Sequence, residues 1–211
     1  MVTQLAISVT TFLYNIVIIR FLGANGVASI TIILYIQFLL NAVYLGFTSG
    51  VSPRISYNYG SKNEVEIRKL VKYSFLIISV FGIATFIISR VFSDVLIGIF
   101  VDDKQLFKTT LDGFIIFSFS FLYSGLNIFI SGMFTAFSNG KISAILSLFR
   151  TFILFIIGII ILPMIFGLNG VWLVVPISEL IALFISFIFV YNNRFKYMYS
   201  RAFKNKSLSY E

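Results

Sequence analysis

Two opposite charges set deep in apolar sequence, Arg150 and Glu179, are the residues of this chain best placed to do chemistry. Ionised groups are costly inside a membrane and are kept there when they pair or line a pathway. Arg150 lies about nine residues, ~13 Å at 1.5 Å per residue, beyond the start of the apolar run at Ile142. Glu179 lies a similar distance beyond the start of the run at Val171. Two readings stay open. In one, the residues form an ion pair that fixes neighbouring helices, or Arg150 snorkels to the nearer interface on its long stem. In the other, Glu179 takes up and releases a proton. Pro176 bears on the second reading, because it removes one helical hydrogen bond and leaves the Trp172 carbonyl free. Trp172, Pro176, Glu179, Leu183 and Ser186 share one helix face.

Uncharged polar residues recur at helical spacing in three other apolar stretches: Gln4, Ser8, Thr11 and Asn15; Gln37, Asn41, Tyr44 and Thr48; Ser120, Ser124, Asn127, Ser131 and Ser138. Steps of three and four place each set on one face. Such stripes either join helices through hydrogen bonds of about 1 kcal/mol or face a water-filled cavity. On the cavity reading, Asn15, Gln37, Asn41, Tyr44, Asn127 and Ser131 are the lining residues. The aromatic faces of Tyr14, Tyr35, Tyr44 and Phe129 could hold a positive charge without a formal counter-charge. Asp112 reads as a solvated residue at the outer start of its span, near the positive end of the helix dipole, with a part in cation uptake as the other possibility.

The elements that position these residues follow from composition. The 211 residues are 59% hydrophobic and 11% charged, with 26 phenylalanines, too few polar residues to cover a soluble domain of this length. Cysteine and histidine are both absent, which excludes disulfides, thiol nucleophiles and histidine triads and argues against a zinc site. No catalytic, metal or cofactor site is expected. The net charge of +8 comes from residues that flank apolar runs, a pattern of orientation in a bilayer rather than of nucleic-acid binding.

Apolar runs near the ~20 residues that a bilayer core requires occur at 3–19, 27–49, 71–89, 114–137, 142–166 and 171–191. All must be helices, since lipid offers no partner to open backbone groups. The expected fold is all-α: a six-helix transmembrane bundle over residues 1–193 with a basic tail at 194–211. Arg54, Lys62, Arg68, Lys69, Lys72, Lys141 and the tail lie on one side, so that side and both termini are expected in the cytoplasm, with the chain in the cell's inner membrane. The segment Val95–Val101 is apolar but too short to cross, which suggests an interfacial stretch. Met1 stands at the very edge of the first span, so the chain reads as the second part of something longer.

Three stretches carry a family resemblance: SGVSPRISYNYGSKNEVEIRK (49–69), FTAFSNGKISAILSLFR (134–150) and LPMIFGLNGVWLVVPISEL (162–180). Their setting between spans is similar to that in MATE transporters (multidrug and toxic compound extrusion), in the MepA-like branch. The resemblance implies helices seven to twelve of a twelve-helix fold whose two six-helix lobes expel amphipathic cationic drugs in exchange for Na⁺ or H⁺. It also implies that the first, second and fourth spans face the central cavity and that a second six-helix lobe, as a separate chain or a second copy, is the partner. Where some members carry an acid in the tenth helix, this chain has Asn127, and 3–19 contains no Asp or Glu. A truncated non-transporting fragment, an accessory membrane subunit, and a flippase for lipid-linked oligosaccharides are the alternative readings.

Overall fold

The computed structural model describes the backbone of residues 2–200 and the side chains from Ser8 to Ser200. Gln4 in the first polar stripe and the tail residues Arg201, Lys204 and Lys206 lie outside the described side chains. Nearly every described residue is helical: α1 (Val2–Gly60), α2 (Glu64–Val91), α3 (Ser93–Gly98), α4 (Lys104–Phe117), α5 (Phe121–Ala136), α6 (Gly140–Leu148) and α7 (Leu154–Asn193). A single 3₁₀ turn, Ser118–Ser120, joins α4 to α5, and a π-helical turn, Phe149–Ile153, joins α6 to α7. Among the described residues, four continuous stretches are long and apolar enough to cross a membrane.

The longest two, α1 and the α6–α7 unit, fold back on themselves. Gly23 (φ 59°, ψ −144°) and Gly167 (φ 57°, ψ −133°) sit in backbone regions that side-chain-bearing residues avoid. Each opens a Gly-x-Asn-Gly tetrad, 23–26 and 167–170, and each tetrad closes on a glycine under the opposite arm. A Cβ on Gly170 would stand 2.1 Å from the Leu162 carbonyl oxygen, and one on Gly26 would meet Leu22 Cβ at 2.7 Å. The result is two antiparallel hairpins, with arms 2–22 and 24–60 in the first and 140–166 and 168–193 in the second. Along the second hairpin, Ser178 Oγ donates to the Leu154 carbonyl at 3.1 Å, and Gly158 lets Val174 and Ser178 pack close.

At one end of the bundle three turns use the same cap. Lys62, Ser138 and Met198 take positive φ, and the following residue's N–H reaches back five positions: Asn63 to Asn58, Asn139 to Phe134, Tyr199 to Arg194. That is a Schellman closure. Asn63 and Asn139 then cap α2 and α6 through their side chains, accepting from Glu66 N and Ile142 N. Tyr197 stacks on Phe137 at 4.7 Å, meets Tyr59 at 5.7 Å, and accepts a 2.7 Å bond from Asn139 Nδ2, so the three turns meet in one aromatic cluster. Residues 194–200, the described start of the basic tail, form a turn packed into this cluster through Tyr197 and Tyr199.

The other end holds α3, whose Ile97 is fully buried, and a cluster of Tyr14, Ile18, Ile30, Phe114, Phe117 and Trp172. Trp172 lies on Gly113, where a Cβ would come within 2.8 Å of the indole. Between the ends, α5 runs alongside the 24–60 arm and receives its side chains in two glycine hollows, Tyr44 at Gly125 and Thr48 at Gly132. Small residues that admit close backbone approach are the usual means of helix packing in lipid. The α2 helix buries Ile67, Val71, Ser74, Ile78 and Thr85 and leaves Leu76, Val80, Ile83 and Ile87 outward. Ser74 and Thr85 thus belong to its packed face.

Candidate functional site

A half-open cavity of about 510 Å³ lies between the two hairpins. Thr10, Thr11 and Tyr14 line it from the 2–22 arm, and Thr31, Leu34, Tyr35, Gln37, Phe38 and Asn41 from the 24–60 arm. Opposite stand Arg150 and Thr151 on the π-helical turn, Phe155 one turn on, and Val175, Ser178 and Glu179 on the 168–193 arm. Tyr14 ties the hairpins together on one flank: its hydroxyl donates to the Val171 carbonyl at 2.6 Å, and its ring lies 5.4 Å from that of Phe155. The wall is mixed. Tyr35 and Phe38 are largely exposed apolar faces, while Gln37, Asn41 and the threonines supply donors and acceptors. Asn41 Oδ1 is buried with no hydrogen-bond partner among the described residues, an unmet acceptor in the wall.

The two charges meet here. Arg150 Nη1 donates to Glu179 Oε1 at 3.3 Å, with the side chains 18% and 9% exposed. Glu179 is held from behind by Asn127 of α5, whose Nδ2 donates to Oε2 at 2.7 Å and to the Glu179 carbonyl at 2.9 Å. Ser186 Oγ in turn donates to Asn127 Oδ1 at 3.2 Å. The carboxylate thus sits at the junction of three elements. Its two oxygens carry charge-assisted hydrogen bonds, the stronger kind. The π-helical turn is what places Arg150: such turns widen a helix, re-aim its side chains, and are concentrated at functional positions.

The other sequence-derived candidates fall in different places. Gln37 and Asn41 line the cavity, whereas Asn15, one position past Tyr14, is half-buried and outside the lining. Tyr44 is corrected: it is 2% exposed in the core, its ring against Gly125 and its hydroxyl bonded to the Phe121 carbonyl at 3.3 Å. Phe129 is likewise core, packed edge-on against Phe75. Asn127 supports Glu179 from outside the lining. Ser131 joins a hydroxyl cluster between α5 and α6, at 2.7 Å from Ser147 Oγ and 3.0 Å from Ser143 Oγ. The fourth span contributes none of this lining, which the fifth and sixth spans complete. Asp112 is exposed in the middle of α4, and the helix start is capped by Asp103, which accepts from Leu106 N at 2.8 Å. Sequence reasoning passed over Thr10, Thr31, Thr151 and Ser178. The last two adjoin Arg150 and Glu179, which was the available signal.

The arrangement can bind a flat or alkyl-rich molecule against Tyr35, Phe38 and Phe155 and meet a positive charge at Glu179. The sequence model of the MatE family matches residues 1–162. No protein of curated function matches the chain. Among solved structures, the chain is similar to an outward-facing multidrug resistance MATE family transporter of the MOP superfamily, with a TM-score of 0.84 and 22% identity over 97% of this chain and 45% of the other. It is similar to a MOP superfamily transporter from Pyrococcus furiosus, described as having a binding pocket of reverse polarity that suggests a different function, with a TM-score of 0.83 and 22% identity over the same shares. A MATE protein in its bent conformation gives a TM-score of 0.84 at 22% identity, over 95% of this chain and 44% of the other. The chain spans less than half the length of these transporters.

Proposed function

Starting from the fact that this chain belongs to the MatE family, we propose that it is the C-terminal lobe of an antiporter that exports amphipathic organic cations in exchange for Na⁺ or H⁺. The observation that carries the reading is the cavity between the hairpins, where one fixed carboxylate, Glu179, paired with Arg150, stands in a wall otherwise made of uncharged polar, aliphatic and aromatic groups. Apolar matter binds the body of the cargo and Glu179 meets its charge. Gln37 and Asn41 orient it with amide groups, and Tyr14 and Tyr35 add aromatic faces to the wall. The Glu179–Arg150 pair is the place where the coupling ion acts.

A second six-helix lobe closes the open side of the cavity, and the two rock about it in alternating access. Arg54, Lys62, Arg68, Lys69, Lys72 and Lys141 gather toward the end where the three capped turns meet, and Arg194 and Lys196 lie at that end as well. By the positive-inside rule this is the cytoplasmic end, and both termini lie there, with the protein in the cell's inner membrane. The test is to express the chain with and without a family-type N-terminal lobe in bacteria lacking efflux pumps, and to follow ethidium leaving preloaded cells. Energy-dependent efflux with the paired lobes is expected, and its loss in Glu179→Gln. Efflux in neither arrangement refutes transport by this polypeptide.

A further inference from the structure

We propose that Arg150 is an internal stand-in for the cargo: its guanidinium holds the Glu179 carboxylate while the cavity is empty and withdraws when an organic cation takes that place. This rests on the cation-transport reading and deepens it by naming the competitor and the ligand class, an amphipathic organic monocation.

The two halves of the ion pair are held unequally. Glu179 is fixed by Asn127 at 2.7 and 2.9 Å, and Asn127 is itself held by Ser186. Arg150 reaches Glu179 through one nitrogen at 3.3 Å. A guanidinium has five N–H donors, and no other hydrogen bond from Arg150 is found among the described residues. The carboxylate is therefore the fixed member and Arg150 the movable one.

Arg150 also has somewhere to go. Helical side chains lean toward the N-terminus of their helix, over residues three and four positions earlier. For Arg150 that face carries Ser147, and a turn further on, Ser143. Both belong to the hydroxyl cluster with Ser131 and Thr135, whose oxygens can accept from the displaced guanidinium. The π-helical turn Phe149–Ile153 supplies the movement, since relaxing it to α geometry re-aims the residues it carries. With Arg150 on Glu179, the cavity wall is electrically neutral. With Arg150 on the hydroxyls, a lone carboxylate faces the space beside Tyr35, Phe38 and Phe155. One cation replaces another, so return of Arg150 to Glu179 drives the cargo off.

The test is equilibrium binding of ethidium, by fluorescence anisotropy, to this chain assembled with a family-type N-terminal lobe in nanodiscs. Arg150→Met is expected to bind ethidium about tenfold more tightly than wild type, because it leaves the buried carboxylate without its internal partner, and to export it more slowly. The gain is expected to vanish in Arg150→Met/Glu179→Gln. Unchanged or weaker binding by a monodisperse Arg150→Met protein overturns the proposal. Should that variant fail to fold, Arg150→Gln, which keeps an amide donor, carries the same expectation and the same refutation. Absent efflux by wild type sinks the transport reading alone, because the order of affinities is read without transport. Tighter binding by Arg150→Met then still supports the stand-in, and ethidium binding to neither protein overturns it too.

Discussion

Replacing Gly170 by alanine tests whether the second hairpin is what holds Arg150 against Glu179. The added Cβ would lie 2.1 Å from the Leu162 oxygen, 2.4 Å from its carbonyl carbon and 2.8 Å from Pro163 N. Carbon contacts are comfortable only near ~3.5 Å, so the arms must part by about 1 Å. All three obstacles are backbone, and none can swing aside as a side chain would. Parting the arms lengthens the Ser178–Leu154 bond from 3.1 Å and the Arg150–Glu179 contact from 3.3 Å, both near the limit already. Overpacking costs about 1–3 kcal/mol and a lost hydrogen bond about 1 kcal/mol. The better helix propensity of alanine offsets up to ~1 kcal/mol. A net loss of about 1–3 kcal/mol is expected. The control is Gly50→Ala, which meets nothing within 4 Å and should be neutral or stabilising by up to ~1 kcal/mol. Both are measured by denaturant unfolding of the purified chain in detergent, reading the single tryptophan, Trp172, which packs on Gly113. Coincident midpoints for Gly170→Ala and Gly50→Ala would refute the reasoning.

Tyr44→Phe removes a hydroxyl bonded to the Phe121 carbonyl but leaves the ring in its glycine hollow; it should lower stability by about 1 kcal/mol without changing ethidium affinity. A large affinity loss would return Tyr44 to the cavity wall. Asn41→Leu removes a buried acceptor without a partner, so unfolding should be unchanged or harder by about 1 kcal/mol, while ethidium affinity falls. A parallel fall in both would make Asn41 structural. Burial, with a smaller contribution from Tyr197 and partly opposed by Arg194, pushes the Tyr199 phenol above its ordinary value. Stability from such a group is complete below the unfolded value of about 10 and is lost as pH rises from there toward the folded value. Unfolding midpoints should therefore fall above pH ~10 in wild type and fall less in Tyr199→Phe, which gives up the bond to the Val190 carbonyl. Identical slopes above that pH would contradict the burial of this phenol.

What the sequence discloses about this molecule divides by the kind of force involved. A bilayer imposes its own rules on length, backbone satisfaction and the sites of Lys and Arg, so the helical, membrane-embedded class is legible without any partner contact. The meeting of Arg150 and Glu179 was open to the same reasoning: they are the two charges deep in the later runs, and each is costly alone. The polar stripes were legible as faces but not as destinations. Tyr44 lies on the same face as Gln37 and Asn41, yet the hollow that takes its ring is made by an absent side chain at Gly125, and helical periodicity does not register an absence. Asn127 required knowing that α5 and the 168–193 arm run in the same direction at matched depth, a tertiary fact. One signal was present and unread. The tetrads Gly23-Ala24-Asn25-Gly26 and Gly167-Leu168-Asn169-Gly170 repeat the same turn, and each bends a long helix into a hairpin. Two hairpins of like construction, set facing, leave a space between their arms. That is why spans one, two, five and six line the cavity, and why the polar residues of the fourth span serve those that do.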